Sequence, residues 1–262
     1  TGRTPEGDEA FERRLRPTLK STYAFMAQLL AGHTHDEARA LARAALEAAM
    51  AAPIGARAAV GGVEVEVYAR INPQIVEVMG ALRDAGYEVW IVSASAQPFV
   101  EEAASRVGIE PARVIGARLA RASTTLGSGW EPLGEGAGPE PVTTFHEGKR
   151  AWINRVIFGV PASEARARRS DASERPVFAF GDSDTDLAMR EDATALAFLC
   201  DRHQVRVSCA ALAEPERWLV HPLFVEPAPP REEPYPCASY ADELGPVRDA
   251  LGRPISDREG AR

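Results

Sequence analysis

The chain has 262 residues, 45% of them apolar, and a formal net charge of −8. That is apolar material enough for one α/β domain with a small accessory domain, and an acidic balance without a basic stripe excludes nucleic acid as the main partner. No apolar run reaches the roughly 18 residues of a membrane-crossing helix, so no membrane span is expected.

Residues 6–31 carry apolar side chains at helical spacing, Phe11, Leu15, Leu19, Tyr23, Met26, Leu29 and Leu30, up to a stop at Gly32. Thr34-His35-Asp36-Glu37 reads as a capping box before an Ala-rich helix that runs to about Met50. Val63 to Ala69 reads as a short extended segment. The front third, 6–70, is otherwise expected to be helical. Asn72-Pro73 opens a helix with Ile75, Val76, Met79 and Leu82 on its buried face, closed by Gly86. Val89 to Val92 is a fully apolar run, so a buried strand, with Trp90 in the core; it ends in Ser93-Ala94-Ser95. Pro98 opens the next helix, where Ser95 suits a cap, and Arg113 to Leu119 is a further strand. Residues 120–146 read as a hairpin or long loop. Lys149 opens a helix with Trp152, Ile153, Val156 and Ile157, and the Arg-rich stretch 162–175 reads as a solvated loop. Val177 to Phe180 is a buried strand, followed by Gly181, then Asp182, Asp184 and Asp186, then a helix start; Thr194 to Phe198 is another strand. The Pro-rich stretch 225–262 reads as a peripheral tail. Helix–strand alternation of this kind predicts an α/β, Rossmann-like parallel sheet. The boundaries are a helical cap over 6–70, an α/β core over 71–224 and the tail.

All but two of the 30 basic residues are arginine, the exceptions being Lys20 and Lys149. Against that background a lysine marks a place that wants a compact ammonium. The three cysteines, Cys200, Cys209 and Cys237, lack metal-ligand spacing; reduced thiols, or one bonded pair plus one free thiol, both fit.

Three acids at every second position behind a buried strand repel one another and call for a cation. Asp182 and Asp186 suit Mg²⁺, which needs few carboxylates when phosphate and water complete its shell. The Ser93 hydroxyl and the following amides, that of Ala94 first, suit a phosphoryl oxygen at a helix N-terminus. The Lys149 ammonium suits charge on a transferring phosphoryl group. The bland alternatives are an N-cap and first-turn acid for Asp182 and Asp186, a strand-end serine for Ser93 and a surface lysine for Lys149. The bland reading explains Asp184 well but not all three acids. Tyr23 and Phe25, with Trp130, could cage a choline-like head group, although aromatics at helical spacing usually pack. His146 and His221 have no assigned role.

In this order the three elements resemble motifs of the haloacid dehalogenase superfamily. Val89 to Ser93 is similar to its second motif, Lys149 to its third-motif lysine, and Gly181-Asp182-Ser183-Asp184-Thr185-Asp186 to its fourth. The resemblance implies a Mg²⁺-dependent hydrolase of a small phosphorylated metabolite, with Ser93, Lys149 and Asp182 in the catalytic set. The helical cap and Ser93-Ala94-Ser95 are most similar to the phosphoserine and phosphorylcholine phosphatase branch. The superfamily's first motif, Asp-x-Asp-x-Thr behind an apolar strand, carries the nucleophile and lies upstream of the others. No such strand is found: Asp8 and Asp36 follow none. The motif is therefore expected before Thr1, and this chain by itself is expected to be inactive. The lost strand's four or five buried side chains amount to roughly 6–15 kcal/mol, which predicts a gap in the sheet. The alternatives are a non-catalytic module that keeps the phosphate and Mg²⁺ grip, and a phosphomutase.

Overall fold

Local signals set most element boundaries in the computed structural model, which describes residues 15–16, 19–240, 242, 244–249 and 252–257. Two compact units divide the chain: Thr1–Pro132 with Pro141–Thr144, and Leu133–Glu140 with Phe145–Arg262. Parallel strands and helices make both units, so the fold is α/β.

The first unit begins with Leu15–Arg16 (β1) and Leu19–Lys20 (β2), a short antiparallel pair, then Ser21–Gln28 (α1) and His35–Ala51 (α2). The helix expected over 6–31 is thus confined, among the described residues, to α1; Phe11 lies outside them. Arg16, which precedes a proline in the sequence, stands in β1, and a proline keeps the residue before it out of the helical region. Thr34 caps α2 reciprocally: the Glu37 amide donates to Thr34 Oγ1 (3.2 Å) and the Thr34 amide to Glu37 Oε2 (2.8 Å). Arg57–Val60 (β3) and Val63–Glu66 (β4) form an antiparallel hairpin, so the front third is not all helical. Its turn, Gly61-Gly62, has φ of +57° and +78°, the two successive positive values that a tight hairpin demands.

Pro73–Asp84 (α3) follows as the Asn72-Pro73 signal predicts. Then come Ile91–Ala96 (β5), Gln97–Ser105 (α4), Val114–Ala117 (β6), Leu119–Ala122 (β7) and Thr125–Trp130 (β8). β5 and β6 pair in parallel across α4, with an irregular register between Val92 and Ala96. β7 and β8 form an antiparallel hairpin. Gly116 is required by close approach: a Cβ there would lie 2.6 Å from Gln97 Cα. Val100, Ala104, Ile109 and Val114 make one core cluster, and Leu30, Ala38, Leu119 and Leu126 another. Two nearly buried carboxylates of α4 face α2: Glu102 pairs with Arg43 Nε at 3.0 Å and Glu101 with His35 Nε2 at 2.6 Å.

The second unit contains Glu147–Val156 (α5), Phe178–Gly181 (β9), Leu187–Glu191 (α6), Leu196–Asp201 (β10), Val205–Ala213 (α7) and Trp218–Pro222 (β11). Its sheet is parallel throughout, in the order β11-β10-β9. Ala179, Leu199, Val207 and Trp218 belong to its core. The stretch after 225, expected to be peripheral, is instead tied in. Cys237 forms a disulfide with Cys209 of α7, and Tyr235, Val247 and Ile255 are buried around it. One bonded pair plus free Cys200 is therefore the arrangement.

The two strands expected to be buried are not. Only Ala94 in β5 and Ala179 in β9 are buried, and Trp90 is half-buried with its indole N–H on Glu88 Oε2 (3.3 Å). The reason is pairing. Among the described residues β5 has only β6 as a strand neighbour and β9 has only β10, so each apolar run forms a sheet edge.

Candidate active site

The acidic turn after β9 depends on Gly181. A Cβ at that position would meet Asp186 Oδ2 at 2.5 Å, so only glycine lets the Asp186 carboxylate fold back over the strand end. Asp186 Oδ2 then accepts from the amides of Asp182 (3.2 Å) and Ser183 (3.3 Å) and from Ser183 Oγ (3.2 Å). Its Oδ1 accepts from Lys149 Nζ. Both partners are buried, Lys149 4% exposed and Asp186 5%. Burial opposes the Asp186 charge, but the Lys149 ammonium and the Arg190 guanidinium outweigh it and hold the carboxyl below its usual range. Lys149 Nζ makes no other hydrogen bond among the described residues, which leaves ammonium hydrogens for a ligand.

The neighbouring acids do different work. Asp184 Oδ1 accepts the Val207 amide (2.9 Å), so it caps the start of α7, and burial raises its pKa. Asp182 is half-exposed and, among the described residues, pairs only with the equally exposed Arg202 Nη1, at 3.1 Å. Arg190, fully buried, donates from Nη2 to the Ser183 carbonyl and lies 5.6 Å from the Trp218 ring centroid. Its Nε and Nη1 have no partner among the described residues. The crowding that seemed to call for an outside cation is thus met by three of the chain's own: Lys149, Arg190 and Arg202. Arg190 escaped the sequence reading, although it stands one helical turn after Asp186, where side chains meet.

Among the described residues no group of three or more His, Cys, Asp or Glu could hold a metal ion. Mg²⁺ accepts one or two protein carboxylates when phosphate and water fill its shell. Asp182, with a single exposed partner, fits that role. Asp186 as folded has both oxygens engaged.

His146 stands directly before α5 with φ +47° and ψ −119°, a backbone conformation that costs a non-glycine residue roughly 1–3 kcal/mol. Its ring sits edge-on to Phe145 at 4.3 Å. Burial, above all, lowers its pKa to about 4.

Ser93 and Ala94 belong to the first unit, in the irregular part of β5. The Ser95 amide donates to Ser93 Oγ (3.2 Å), and Thr144 Oγ1 donates to the Ser93 carbonyl. The Ser93 hydroxyl hydrogen stays free among the described residues. Ser95 does not cap α4; Ala96 holds that position without a side-chain bond. Tyr23 and Phe25 are each 42% exposed on α1, and Trp130 packs against the Leu30 cluster. Of the residues singled out in the sequence, the second unit holds Lys149, Asp182 and Asp186, and it brings Lys149 and Asp186 into contact.

A family model described as haloacid dehalogenase-like hydrolase matches residues 4–191. Among solved structures, the chain resembles a conserved functionally unknown protein from Anaerococcus prevotii DSM 20548. The identity is 22% and the TM-score 0.52, over 66% of this chain and 45% of that one. The chain thus spans under half of that protein's length, and the likeness concerns the fold. No curated protein matches.

Proposed function

The chain belongs to the haloacid dehalogenase-like hydrolases, and from that premise we propose that it serves a Mg²⁺-dependent phosphomonoester hydrolase acting on a small phosphorylated metabolite, phosphoserine- or phosphocholine-like. The observation that carries this reading is the buried Lys149–Asp186 pair behind β9. Burying an ammonium is expensive, and here it is held by one carboxylate with hydrogens to spare, as a phosphoryl-binding cation should be.

The reaction proposed runs in two displacements. A carboxylate oxygen of a nucleophilic aspartate, as the superfamily's first motif implies, bonds to phosphorus as the ester oxygen leaves with its electron pair. Water then displaces the carboxylate and frees phosphate, so two easier steps replace one. Lys149 neutralises charge on the transferring group, and Asp186 fixes where its Nζ sits. In the first unit, the Ser93 hydroxyl and the Ala94 amide suit donation to a phosphoryl oxygen. Mg²⁺, held through Asp182, would shield the phosphate from the attacking carboxylate.

A second reading has an observation of its own: the acid cluster is already neutralised by Lys149, Arg190 and Arg202, as a binding module without turnover would require. Phosphate release from phosphoserine and phosphocholine by the protein, with and without Mg²⁺, separates the two. The hydrolase reading expects Mg²⁺-dependent release that Lys149→Met lowers by roughly 10²–10³-fold. Binding of inorganic phosphate with no turnover of any ester would establish the module instead.

A further inference from the structure

The first unit holds an open cavity of about 270 Å³, with Leu30, Leu119 and Leu126 on its apolar side and His35, Glu101 and Arg121 among its polar groups. None of these residues belongs to the phosphoryl machinery proposed above. We propose that the cavity binds a small hydroxycarboxylate, its carboxylate on Arg121 and a hydroxyl on His35 Nδ1.

The imidazole is oriented for this. Glu101 is nearly buried on α4, and its Oε2 lies 2.6 Å from His35 Nε2. Its Oε1 accepts Gln97 Nε2 at 2.8 Å. A carboxylate accepts, so Nε2 carries the hydrogen that faces Glu101 and Nδ1 is the ring nitrogen turned to other partners. Nδ1 has no hydrogen bond among the described residues, which leaves it for a ligand hydroxyl, a group that both donates and accepts.

The charge around the cavity favours an anion. Arg118, which also lines it, is drawn into the wall: its Nε donates to Gln97 Oε1 (3.3 Å), its Nη2 to the Val114 carbonyl (3.1 Å), and its Nη1 faces Glu131 at 3.7 Å. Arg121, exposed on β7, has no ion pair among the described residues. One uncompensated guanidinium therefore stands beside a cavity whose buried carboxylate is already satisfied. The leucine wall wants a carbon body rather than a hydrated inorganic ion. The volume lies just below the usual range for metabolite pockets, which suits a ligand of a few carbons. No tyrosine, tryptophan or phenylalanine lines the cavity, so a quaternary ammonium finds no cage. Joined to the proposed hydrolase, the cavity would choose a carboxylate-bearing leaving group over a choline-like one. That extension rests on the hydrolase reading; the binding itself does not.

Titration calorimetry on the chain tests it, with D-glycerate as probe and propionate and choline as comparisons. Saturable glycerate binding is expected, weakened about tenfold by Arg121→Gln, with choline silent. His35→Phe should erase the preference for glycerate over propionate. Because His35→Phe also removes a partner of buried Glu101, Arg121→Gln, exposed and unpaired, is the variant that leaves the fold intact; equal thermal melts check this. No saturable heat with glycerate, unchanged affinity in Arg121→Gln, or tighter binding of choline each overturns the proposal. None of these readings depends on phosphate release, so failure of the hydrolase is seen separately.

Discussion

His146 shows how far burial can move a side chain from its exposed counterpart. Burial lowers its pKa from 6.5 to about 4. Between those values the unfolded chain binds a proton that the folded chain refuses, so stability falls as pH drops through this window. The loss by pH 4 amounts to about 3 kcal/mol. Urea unfolding at pH 7, 5 and 4 should show this decline in the parent protein and a shallower one in His146→Gln. Asp186 acts lower on the scale. Its pKa is depressed, so its contribution is present above 3.8 and is lost only as pH falls through the still lower folded value. At this scale the sequence was partly legible. Lys149 stood out because lysine is rare here, and Asp186 because of its place behind an apolar run. Arg190 did not, since in an arginine-rich chain nothing marks one arginine as buried. His146 carried no local sign either; its strain arises from the turn that leads into α5.

Elements with local causes were read well. Thr34 and Glu37 start α2 and Pro73 starts α3, whereas the hairpin turned by the glycine pair at 61 and 62 was expected only in its second strand, as the extended segment Val63 to Ala69. What the sequence could not show was pairing at a distance. The runs ending in Ser93 and Gly181 look like central strands because both faces are apolar, yet burial requires neighbours on both edges, and among the described residues each has one. The chain after 225 shows the same lesson reversed. Prolines and charge suggest a peripheral tail, whereas Cys237 reaches back 28 residues to α7 and organises Tyr235, Val247 and Ile255. Closing a loop of that size removes unfolded-state freedom worth about 3–4 kcal/mol. Cys209→Ser with Cys237→Ser should lower the unfolding free energy by that amount, read as an earlier urea midpoint. A reducing agent should then shift the parent protein but not the double variant.

For the whole molecule, the net charge of −8 and the run of acids behind β9 suggest that a divalent ion helps hold the fold together. The arrangement of Asp182, Asp184 and Asp186 argues otherwise. Lys149 is bonded to Asp186, Arg202 to Asp182, and Arg190 is buried between the Ser183 carbonyl and the Trp218 ring, while Asp184 caps α7. An ion arriving without a phosphoryl group must compete with these cations, so it gains little differential affinity for the folded state. A ligand stabilises only through that difference. Saturating Mg²⁺ against EDTA should therefore move the Tm of the parent protein by less than about 2 °C. Arg190→Leu removes one of the internal cations and leaves the acids under-neutralised. That variant should melt lower in EDTA and recover part of the loss when Mg²⁺ is added. Differential scanning calorimetry of both proteins, each with and without the ion, reads the comparison directly. A large Mg²⁺ shift in the parent, equal to that in the variant, would mean that the internal cations do not organise the turn.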